Sequence, residues 1–349
     1  MKKILIIIPY FGEFPNYFKI WLKSVKYNKT IDFLLITDNE ISEVPSNVKL
    51  VNTSFEQIKK DIQNKYKFKI NLKVPYDLCK FKPAYGDIFE NYIKGYDFWG
   101  HCDMDMVFGD LRHFFTEDIL KNNQKILSHG HLCLYKNEKK INKLYKIKRK
   151  DCYYYKDVYS SKIEWNNFDE YPYGISRIAK MENIKVYEKS IFADLDTFYY
   201  TFKKIYSYCN ERKDDEQDVI QYFSWINGKL INYVIKDGKI YNEELAYVHF
   251  QKRTMNCELI EKITSNFDIF PNIFLPHKER SINEIIEKCD LSKNDEYCKN
   301  IKLKINKNKE KIPLIKKFFS YQRIKRKIFL IKMDRIYKVK TYKFEKGGF

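Results

Sequence analysis

The chain has 349 residues, 44% of them hydrophobic, and a formal net charge of +19. This length is sufficient for one large or two modest domains with a full hydrophobic core. The eight cysteines are scattered without a CxxC pair, which argues against a disulfide framework or a zinc knuckle and favours reduced thiols in a cytosolic protein. The N-terminal apolar run ends at Pro9 after five residues, too short for a signal peptide or a transmembrane helix, so it predicts a buried strand.

The first half of the chain alternates strand-like and helical patterns. Strands are predicted over residues 3–8, 32–36, 48–51 and 98–102, and helices over residues 18–27, 54–64 and 84–93. This β-α-β alternation predicts an α/β fold with a parallel sheet, in which ligands bind beyond the carboxyl ends of the strands. Residues 153–159 and 166–173 are aromatic and polar without a clear period, and we interpret them as loops over the cleft.

The most informative segment, residues 96–111, reads YDFWGHCDMDMVFGDL. It predicts a buried strand followed by Asp103 and Asp105, whose Cα atoms would lie roughly 6.5–7 Å apart on one side of the chain. Two adjacent carboxylates in a partly dry site repel each other unless a proton or a metal lies between them. Oxygen ligands favour Mg²⁺ or Mn²⁺ over zinc. The segment therefore predicts a divalent cation site; the alternative is a pair of solvated acids where a strand becomes a loop.

The last 49 residues, 301–349, contain 17 Lys and Arg against three acids, so they carry +14 of the net charge. Apolar residues are interleaved with the basic ones at loosely helical spacing. Such a basic amphipathic helix suits an anionic membrane surface, where each basic residue contributes about 1 kcal/mol. The alternative is that its apolar stripe packs on the body of the protein. No recognised nucleic-acid module accompanies the charge, so nucleic acid is not a predicted partner.

The order of the motifs resembles a known enzyme family. A first strand ending in PYFG, a second ending in TDN, a Lys-Pro before a helix and an apolar strand running into Asp-x-Asp look like the nucleotide-binding half of GT-A glycosyltransferases. More narrowly, the chain resembles bacterial polysaccharide-locus glycosyltransferases, distantly similar to the glycogenin and lipooligosaccharide galactosyltransferase type. DEQDVI at 215–220 and VHFQK at 248–252 are similar to that group's Asp-Gln-Asp motif and its late His followed by Lys.

This resemblance covers roughly residues 1–255, and it implies a GT-A catalytic domain with a Rossmann-like fold that transfers sugars from nucleotide diphosphates. Residues 256–349 form the second predicted region, which is basic and largely helical. The location that we predict is cytoplasmic, with a peripheral position on the inner face of the cell membrane left open. The implied acceptor is a surface glycan, free or linked to a lipid.

The same resemblance implies a donor site and its ligands. Mn²⁺ or Mg²⁺ would be held by Asp103, Asp105 and His249, and the metal would bridge the two phosphates of a nucleotide-diphosphate sugar, with a UDP-sugar favoured. Lys252 and Lys82 would reach the same diphosphate, with Lys80 as the alternative to Lys82. Neither GxGxxG nor GxxxxGK[ST] occurs in the chain, so dinucleotide and P-loop phosphate binding find no support.

The nucleoside is expected at the ends of the first two strands. Pro9, Tyr10 and Phe11 would wall the base, and Asp38 would accept a hydrogen bond from N3–H of uracil. Aromatic residues in this position also occur as ordinary packing at the rim of a sheet, and that interpretation stays open.

For the chemistry, the resemblance implies a retaining transfer with Gln217 near the anomeric carbon. Because glutamine is a poor nucleophile, front-face transfer fits better than a covalent intermediate. An inverting enzyme would instead need a carboxylate as general base, and the candidates are Glu216, Asp218 and Glu170. The acids around Gln217 also suit an ordinary helix N-terminus. A further DxD-like pair, which we interpret as an acceptor-side element or a structural turn rather than a second metal site, is Asp194 and Asp196.

Two other functions fit parts of the sequence. A phosphatase of the haloacid dehalogenase type also places Asp-x-Asp after an apolar strand, but it does so near its N-terminus, whereas here the predicted strands at residues 3–8, 32–36 and 48–51 come before the strand that leads into Asp103. A non-enzymatic basic adaptor for membranes or nucleic acid would leave the acidic pair unexplained. Glycosyl transfer is therefore the function that we predict.

Overall fold

The computed structural model describes residues 1–161, 167–205, 219–263, 265–294 and 296–300, together with Ile328. The strands are β1 (Ile4–Pro9), β2 (Ile31–Thr37), β3 (Val48–Asn52), β4 (Phe98–Cys102), β5 (Met106–Phe108), β6 (Lys125–Ile126), β7 (Leu132–Lys136), β8 (Val186–Tyr187), β9 (Phe192–Asp194), β10 (Ile220–Ile226), β11 (Lys229–Lys236), β12 (Lys239–Leu245), β13 (Tyr247–His249), β14 (Phe267–Phe270) and β15 (Ile273–Pro276). The α-helices are α1 (Phe18–Tyr27), α2 (Phe55–Asn64), α3 (Tyr85–Ile88), α4 (Leu111–Phe114), α5 (Glu117–Asn122), α6 (Lys139–Asn142), α7 (Tyr155–Ser160), α8 (Ile175–Met181) and α9 (Ile282–Lys288).

A seven-stranded sheet in the order β3-β2-β1-β4-β7-β6-β8 lies at the centre of the N-terminal half. Strands β3, β2, β1 and β4 run parallel, whereas β7 is antiparallel to β4. The α/β class and the mostly parallel, Rossmann-like sheet are therefore confirmed. Because β1, β2 and β4 are parallel, the residues that follow Pro9, Thr37 and Cys102 meet at one edge of the sheet.

Both faces of this sheet are buried because β1 is apolar at every position from Ile4 to Ile8. On one face, its even-numbered isoleucines pack in a cluster with Trp21 and Val25 of α1. On the other face, Leu5 and Ile7 pack with Ile58 and Ile62 of α2. Burial of a side chain of this size stabilises the fold by about 1.5–3 kcal/mol. The sheet is thus fixed from both sides, and it holds the ends of its strands in place.

A five-stranded antiparallel sheet in the order β12-β11-β10-β14-β15 lies beside the first. The two-residue turns Asn227-Gly228 and Asp237-Gly238 have positive φ at all four residues, as type I′ hairpins require. Strands β14 and β15 come after residue 255, so this sheet crosses the boundary between the two predicted regions. The division itself stays a prediction, and the basic segment 301–349 lies outside the described residues apart from Ile328.

A small third sheet places β13 between β5, to which it is antiparallel, and β9, to which it is parallel. In this register His249 lies opposite Met106 on one side and Asp194 on the other. The sheet therefore brings three distant parts of the sequence to the end of β4.

Two sequence-based predictions about local structure were wrong. The helix predicted over residues 84–93 is only the short α3, Tyr85–Ile88, which follows a 3-10 helix at Pro75–Ala84 and gives way to a turn at Phe89. Residues 153–159 are not a loop over the cleft: they include most of α7, and Tyr153 and Tyr159 are buried in the core. Among the described residues, no helix combines the length and the hydrophobicity that a membrane crossing needs.

Candidate metal and donor site

Asp103, Asp105 and His249 converge where β4 meets the three-stranded sheet. His249 Nε2 lies 3.3 Å from Asp105 Oδ1 and 3.8 Å from Asp103 Oδ2. One ligand atom from each of the three residues lies within 4.8 Å of the other two. The main-chain nitrogen of Asp103 donates to His131 O at 2.9 Å, and that of Phe250 donates to Asp105 O at 2.9 Å, so the main chain fixes both segments.

The electrostatics of this cluster favour a bound cation. Burial raises the pKa of Asp105, but the charge of His249 and the hydrogen bonds from His249 and from the main chain of Lys252 lower it to about 2. Burial lowers the pKa of His249, yet the charges and hydrogen bonds of Asp105 and Asp194 raise it well above its usual value. The carboxylates thus stabilise a positive charge at this position, which an imidazolium or a metal ion can supply.

A fourth residue, Asp194, determines which nitrogen of His249 faces the two carboxylates. Its Oδ1 lies 2.7 Å from His249 Nδ1, and it also accepts a hydrogen bond from Gln251 Nε2 at 2.8 Å. A neutral His249 that donates from Nδ1 keeps its lone pair on Nε2, directed at Asp103 and Asp105. Two carboxylates and one imidazole nitrogen suit Mn²⁺ or Mg²⁺, so the residues fit the metal that the sequence predicts.

Lys252 contacts the cluster through its main chain. Its N–H donates to Asp105 Oδ2 at 2.5 Å, while its Nζ lies 3.8 Å from the centre of the Tyr76 ring. Gln251 and Lys252 both have positive φ, 49° and 62°, a conformation that costs an L-residue roughly 1–2 kcal/mol. The sequence predicted a role for the lysine side chain but gave no signal for this main-chain contact.

Lys82 lies in the interior beside the cluster, within an ion pair. Its Nζ lies 2.7 Å from Asp103 Oδ1, 3.4 Å from Asp169 Oδ2 and 2.8 Å from Gly130 O. Burial lowers the pKa of Lys82, but the charges of Asp103 and Asp169 raise it well above its usual value. Lys80, the alternative to Lys82, donates instead to Asn71 O at 2.6 Å. The phosphate-binding role of Lys82 stays a prediction.

Asp169 and Glu170 lie beside Lys82 in the structure. Gly130 N donates to Glu170 Oε2 at 3.3 Å, and a Cβ atom on Gly130 would lie only 2.4 Å from Asp169 Oδ2, so only glycine fits there. Burial, followed by the charge of Asp169, raises the pKa of Glu170 to about 8. The sequence suggested Glu170 only as one of several bases. It gave no signal for Asp169, because the flanking aromatic segment did not reveal a buried element.

The residues predicted for the nucleoside lie at the same edge of the sheet. Tyr10 follows Pro9 at the end of β1, and its N–H donates to Ile36 O at 2.8 Å. Burial, and then the charges of Asp105 and Asp103, raise the pKa of its hydroxyl. Asp38 is exposed at the end of β2, and its Oδ1 accepts a hydrogen bond from Gly12 N at 3.3 Å. Tyr10 and Asp38 thus follow strands that end at one edge of the sheet, whereas the Phe11 ring packs in the core beside Phe55. Contact of Tyr10 and Asp38 with a nucleoside stays a prediction.

The second acidic motif of the sequence lies outside the described residues. The three catalytic residues predicted in that segment, Glu216, Gln217 and Asp218, are therefore not among the described residues. The two acids of the DxD-like pair at the end of β9 have different contacts. Asp194 contacts His249, as described above, whereas Asp196 Oδ1 accepts a hydrogen bond from Phe198 N at 2.8 Å within a local turn.

His131, which sequence reasoning missed, packs beside His249 with 4.7 Å between the ring centres. It lies at the start of the segment that enters β7, and it is 6% exposed. Burial and then the neighbouring charges of His249 and His129 lower its pKa well below the usual value. The ring is therefore neutral at physiological pH.

The chain matches the sequence model of a protein family over most of its length. A sequence model of the family described as "Family of unknown function (DUF6625)" matches residues 6–278, and the chain belongs to that family. Among curated proteins, none matches the chain.

Two solved structures illustrate the similarity to known folds. The galactosyltransferase LgtC in complex with donor and acceptor sugar analogues is 12% identical, with a TM-score of 0.34 over 71% of this chain and 87% of that chain. The glycosyltransferase GlyE of Streptococcus pneumoniae TIGR4 is 14% identical, with a TM-score of 0.29 over 54% of this chain and 46% of that chain. At these values the likenesses establish no activity for this chain.

Proposed function

We propose that this member of the DUF6625 family is a metal-dependent glycosyltransferase that uses a nucleotide-diphosphate sugar, with a UDP-sugar as the favoured donor. The observation that carries the proposal is the convergence of Asp103, Asp105 and His249, with their ligand atoms within 4.8 Å of one another. These residues lie beyond the carboxyl end of β4, the edge at which parallel α/β sheets bind ligands.

The three residues would hold Mn²⁺ or Mg²⁺, which when bound neutralises the negative charge that develops on the leaving diphosphate. Asp194 keeps the Nε2 lone pair of His249 directed at the site through its 2.7 Å contact with Nδ1. Tyr10 and Asp38 lie at the neighbouring strand ends and would contact the nucleoside. Lys252 Nζ, which lies over the Tyr76 ring, would reach the diphosphate once donor occupies the cleft.

Two mechanisms remain for the transfer. The resemblance of the sequence favours retention, with Gln217 near the anomeric carbon. Glu170 offers a base for inversion, because a pKa of about 8 lets it exchange a proton near neutral pH. NMR of the freshly formed product distinguishes the two, since retention conserves the anomeric configuration of the donor and inversion reverses it.

The acceptor that we propose is a surface glycan, linked to a lipid carrier at the cytoplasmic face of the membrane. The support is the basic segment 301–349, which carries +14 of the formal charge and suits an anionic lipid surface. In this proposal residues 1–255 perform the chemistry and the C-terminal region serves location.

The proposal is tested with purified protein, a panel of nucleotide sugars and Mn²⁺. We expect one nucleotide-diphosphate sugar to raise the thermal midpoint only with the metal present. At 100 times its dissociation constant a ligand stabilises the folded state by about 2.7 kcal/mol. The same donor should release its nucleoside diphosphate slowly by hydrolysis. Release of phosphate from simple phosphomonoesters, with no response to any nucleotide sugar, would contradict the proposal and favour a phosphatase.

A further inference from the structure

A second group of potential metal ligands includes Asp194, which lies at Nδ1 of His249, whereas Asp103 and Asp105 lie at Nε2. It consists of His131, Asp194 and His249, which are 6%, 8% and 8% exposed. One ligand atom from each lies within 4.8 Å of the other two. His249 is the single residue that this group shares with the Asp103 and Asp105 site.

His131 and Asp194 each have a side-chain atom that could bind a metal ion. Tyr247 Oη lies 2.9 Å from His131 Nδ1, while the buried Nε2 of the same ring has no hydrogen-bond partner among the described residues. Asp194 Oδ1 accepts from both His249 Nδ1 and Gln251 Nε2, which leaves its second oxygen out of both bonds. A buried imidazole nitrogen without a partner is unfavourable unless something binds to it.

We propose that His131, Asp194 and His249 form a second cation site, which binds Zn²⁺ or a similar borderline metal. Two imidazole nitrogens and one carboxylate oxygen are a donor set that zinc prefers, whereas Mg²⁺ and Mn²⁺ prefer sites richer in oxygen. The sequence favoured an acceptor-side or turn role for Asp194. The two histidines that the fold places beside it are the reason for the different assignment.

The two sites exclude each other because a neutral imidazole has one lone pair. A metal at Asp103 and Asp105 takes Nε2 of His249, and Nδ1 keeps its proton for Asp194. A zinc ion at the second site takes Nδ1, and the remaining ring proton then sits on Nε2, where Asp105 Oδ1 at 3.3 Å can accept it. If His249 is an imidazolium beforehand, one proton passes to solvent as zinc binds.

It follows that zinc acts as an inhibitor that competes with Mn²⁺ for His249. The existence of the zinc site stands apart from the proposed function. The competition rests on the proposed Mn²⁺ site, so the experiment measures the two metals separately.

The experiment uses the full chain and each metal ion alone. Zinc affinity is measured by competition with a chromophoric chelator, and Co²⁺ serves as a spectroscopic substitute whose visible bands report a site with nitrogen ligands. Mn²⁺ binding is followed by the electron paramagnetic resonance signal of the free ion. In the wild-type protein we expect added zinc to release bound Mn²⁺ in proportion to the zinc bound.

Three substitutions separate the sites. His131→Phe keeps an aromatic ring against Phe192 and Tyr247 but removes the nitrogen atoms. We expect zinc affinity to fall by more than about 100-fold. Loss of a residue that only contacts a metal ligand typically costs less, about 10- to 100-fold. Mn²⁺ affinity should stay within about threefold. Asp103→Asn should show the reverse pattern. His129→Phe is the matched control, because His129 stacks on His131 outside the group, and it should change neither affinity.

If His131→Phe fails to fold, His131→Gln replaces it, since the amide can still contact Tyr247. Zinc affinity that is unchanged in the folded His131 variant would overturn the second site. Zinc that binds the wild-type protein without releasing Mn²⁺ would overturn the exclusion. Failure of Mn²⁺ to bind in the absence of zinc would contradict the proposed function while leaving the zinc site in place.

Discussion

The main-chain nitrogen of Lys252 donates to Asp105 Oδ2 at 2.5 Å, although the two residues are 147 positions apart. The donor belongs to a left-handed turn, with φ of 49° at Gln251 and 62° at Lys252. From the same turn, the side chain of Gln251 bonds Asp194, the partner of His249. One strained turn therefore orients both a carboxylate and the imidazole of the proposed metal site, and these hydrogen bonds offset its conformational cost.

The main chain and the side chain of Lys252 therefore have different proposed roles, and a substitution can test the side chain alone. In Lys252→Ala the main-chain bond to Asp105 remains, so Mn²⁺ affinity should change by less than about twofold. The ammonium is lost, and UDP binding in the presence of Mn²⁺ should weaken by about 1.5–3 kcal/mol, the scale of a hydrogen bond to a charged group. Titration calorimetry measures both affinities, with Lys252→Arg as the charge-conserving control. Equal UDP affinity in the alanine variant and the wild-type protein would remove Lys252 from the donor site.

The metal assignment predicts a large effect from a small change at Asp105. Asp105→Asn keeps the shape of the side chain but replaces an anionic ligand with a neutral amide, so transfer at limiting Mn²⁺ should fall at least about 100-fold. Asp110→Asn is the matched control, since the exposed Asp110 caps α4 by accepting from Arg112 N and His113 N, which an asparagine can also do. Full turnover of Asp105→Asn at limiting Mn²⁺ would argue against direct ligation.

The sequence predicted the sheet well because its signals are local. β1, β2, β3 and β4 are short apolar runs between polar residues, and the alternation with α1 and α2 is enough to indicate a parallel sheet. The paired acids at the end of β4 were equally visible. His249 was found only through the resemblance of VHFQK to a family motif, because a single histidine in a strand carries little information by itself.

The partners of these residues could not be predicted, because they depend on contacts between distant segments. Nothing in the local sequence of Asp169 shows that it lies 3.4 Å from Lys82 Nζ. Likewise, Asp194 and His131 come to His249 through the register of β9 with β13 and through the packing of one ring on another. Tyr153 and Tyr159 misled the prediction for another reason: tyrosine is polar at its tip, yet here the rings are buried.

Lys82 should contribute strongly to stability. Lys82→Met conserves the length of the side chain but leaves the buried Asp169 and the half-buried Asp103 without their cation, which should cost about 3–5 kcal/mol in the free energy of unfolding. Chemical denaturation measures the loss. Adding Asp169→Asn should recover part of it by removing one of the two charges. Lys65→Met, which breaks the exposed ion pair with Glu90, should cost at most about 1 kcal/mol; an equal loss in both single variants would contradict the buried role.

Glu170 should make stability depend on pH. Its pKa is about 8 in the folded protein against 4.5 for the free side chain, so between these values the folded protein holds a proton that the unfolded chain has released. The contribution of Glu170 to the free energy of unfolding is therefore fully present below pH 4.5 and falls as the pH rises towards about 8. Glu170→Gln stays neutral and lacks this fall.

Thermal midpoints at a series of pH values test this prediction. The midpoint of Glu170→Gln minus that of the wild-type protein should increase from about pH 5 to about pH 8. Glu90→Gln, at an exposed glutamate, should follow the wild-type curve. Parallel curves for Glu170→Gln and the wild-type protein would show that the side chain titrates normally.

The basic segment should govern attachment to membranes. Removing residues 301–349 takes away +14 of the formal charge, so binding to vesicles of anionic lipid, measured by sedimentation, should be lost. Wild-type binding should weaken as salt rises, because the attraction is screened over about 8 Å at physiological ionic strength. Donor hydrolysis in solution should persist in the truncated protein, since the proposed metal ligands all precede residue 250. A truncated protein that is insoluble or unfolded would show instead that the apolar stripe of this segment packs on the catalytic body.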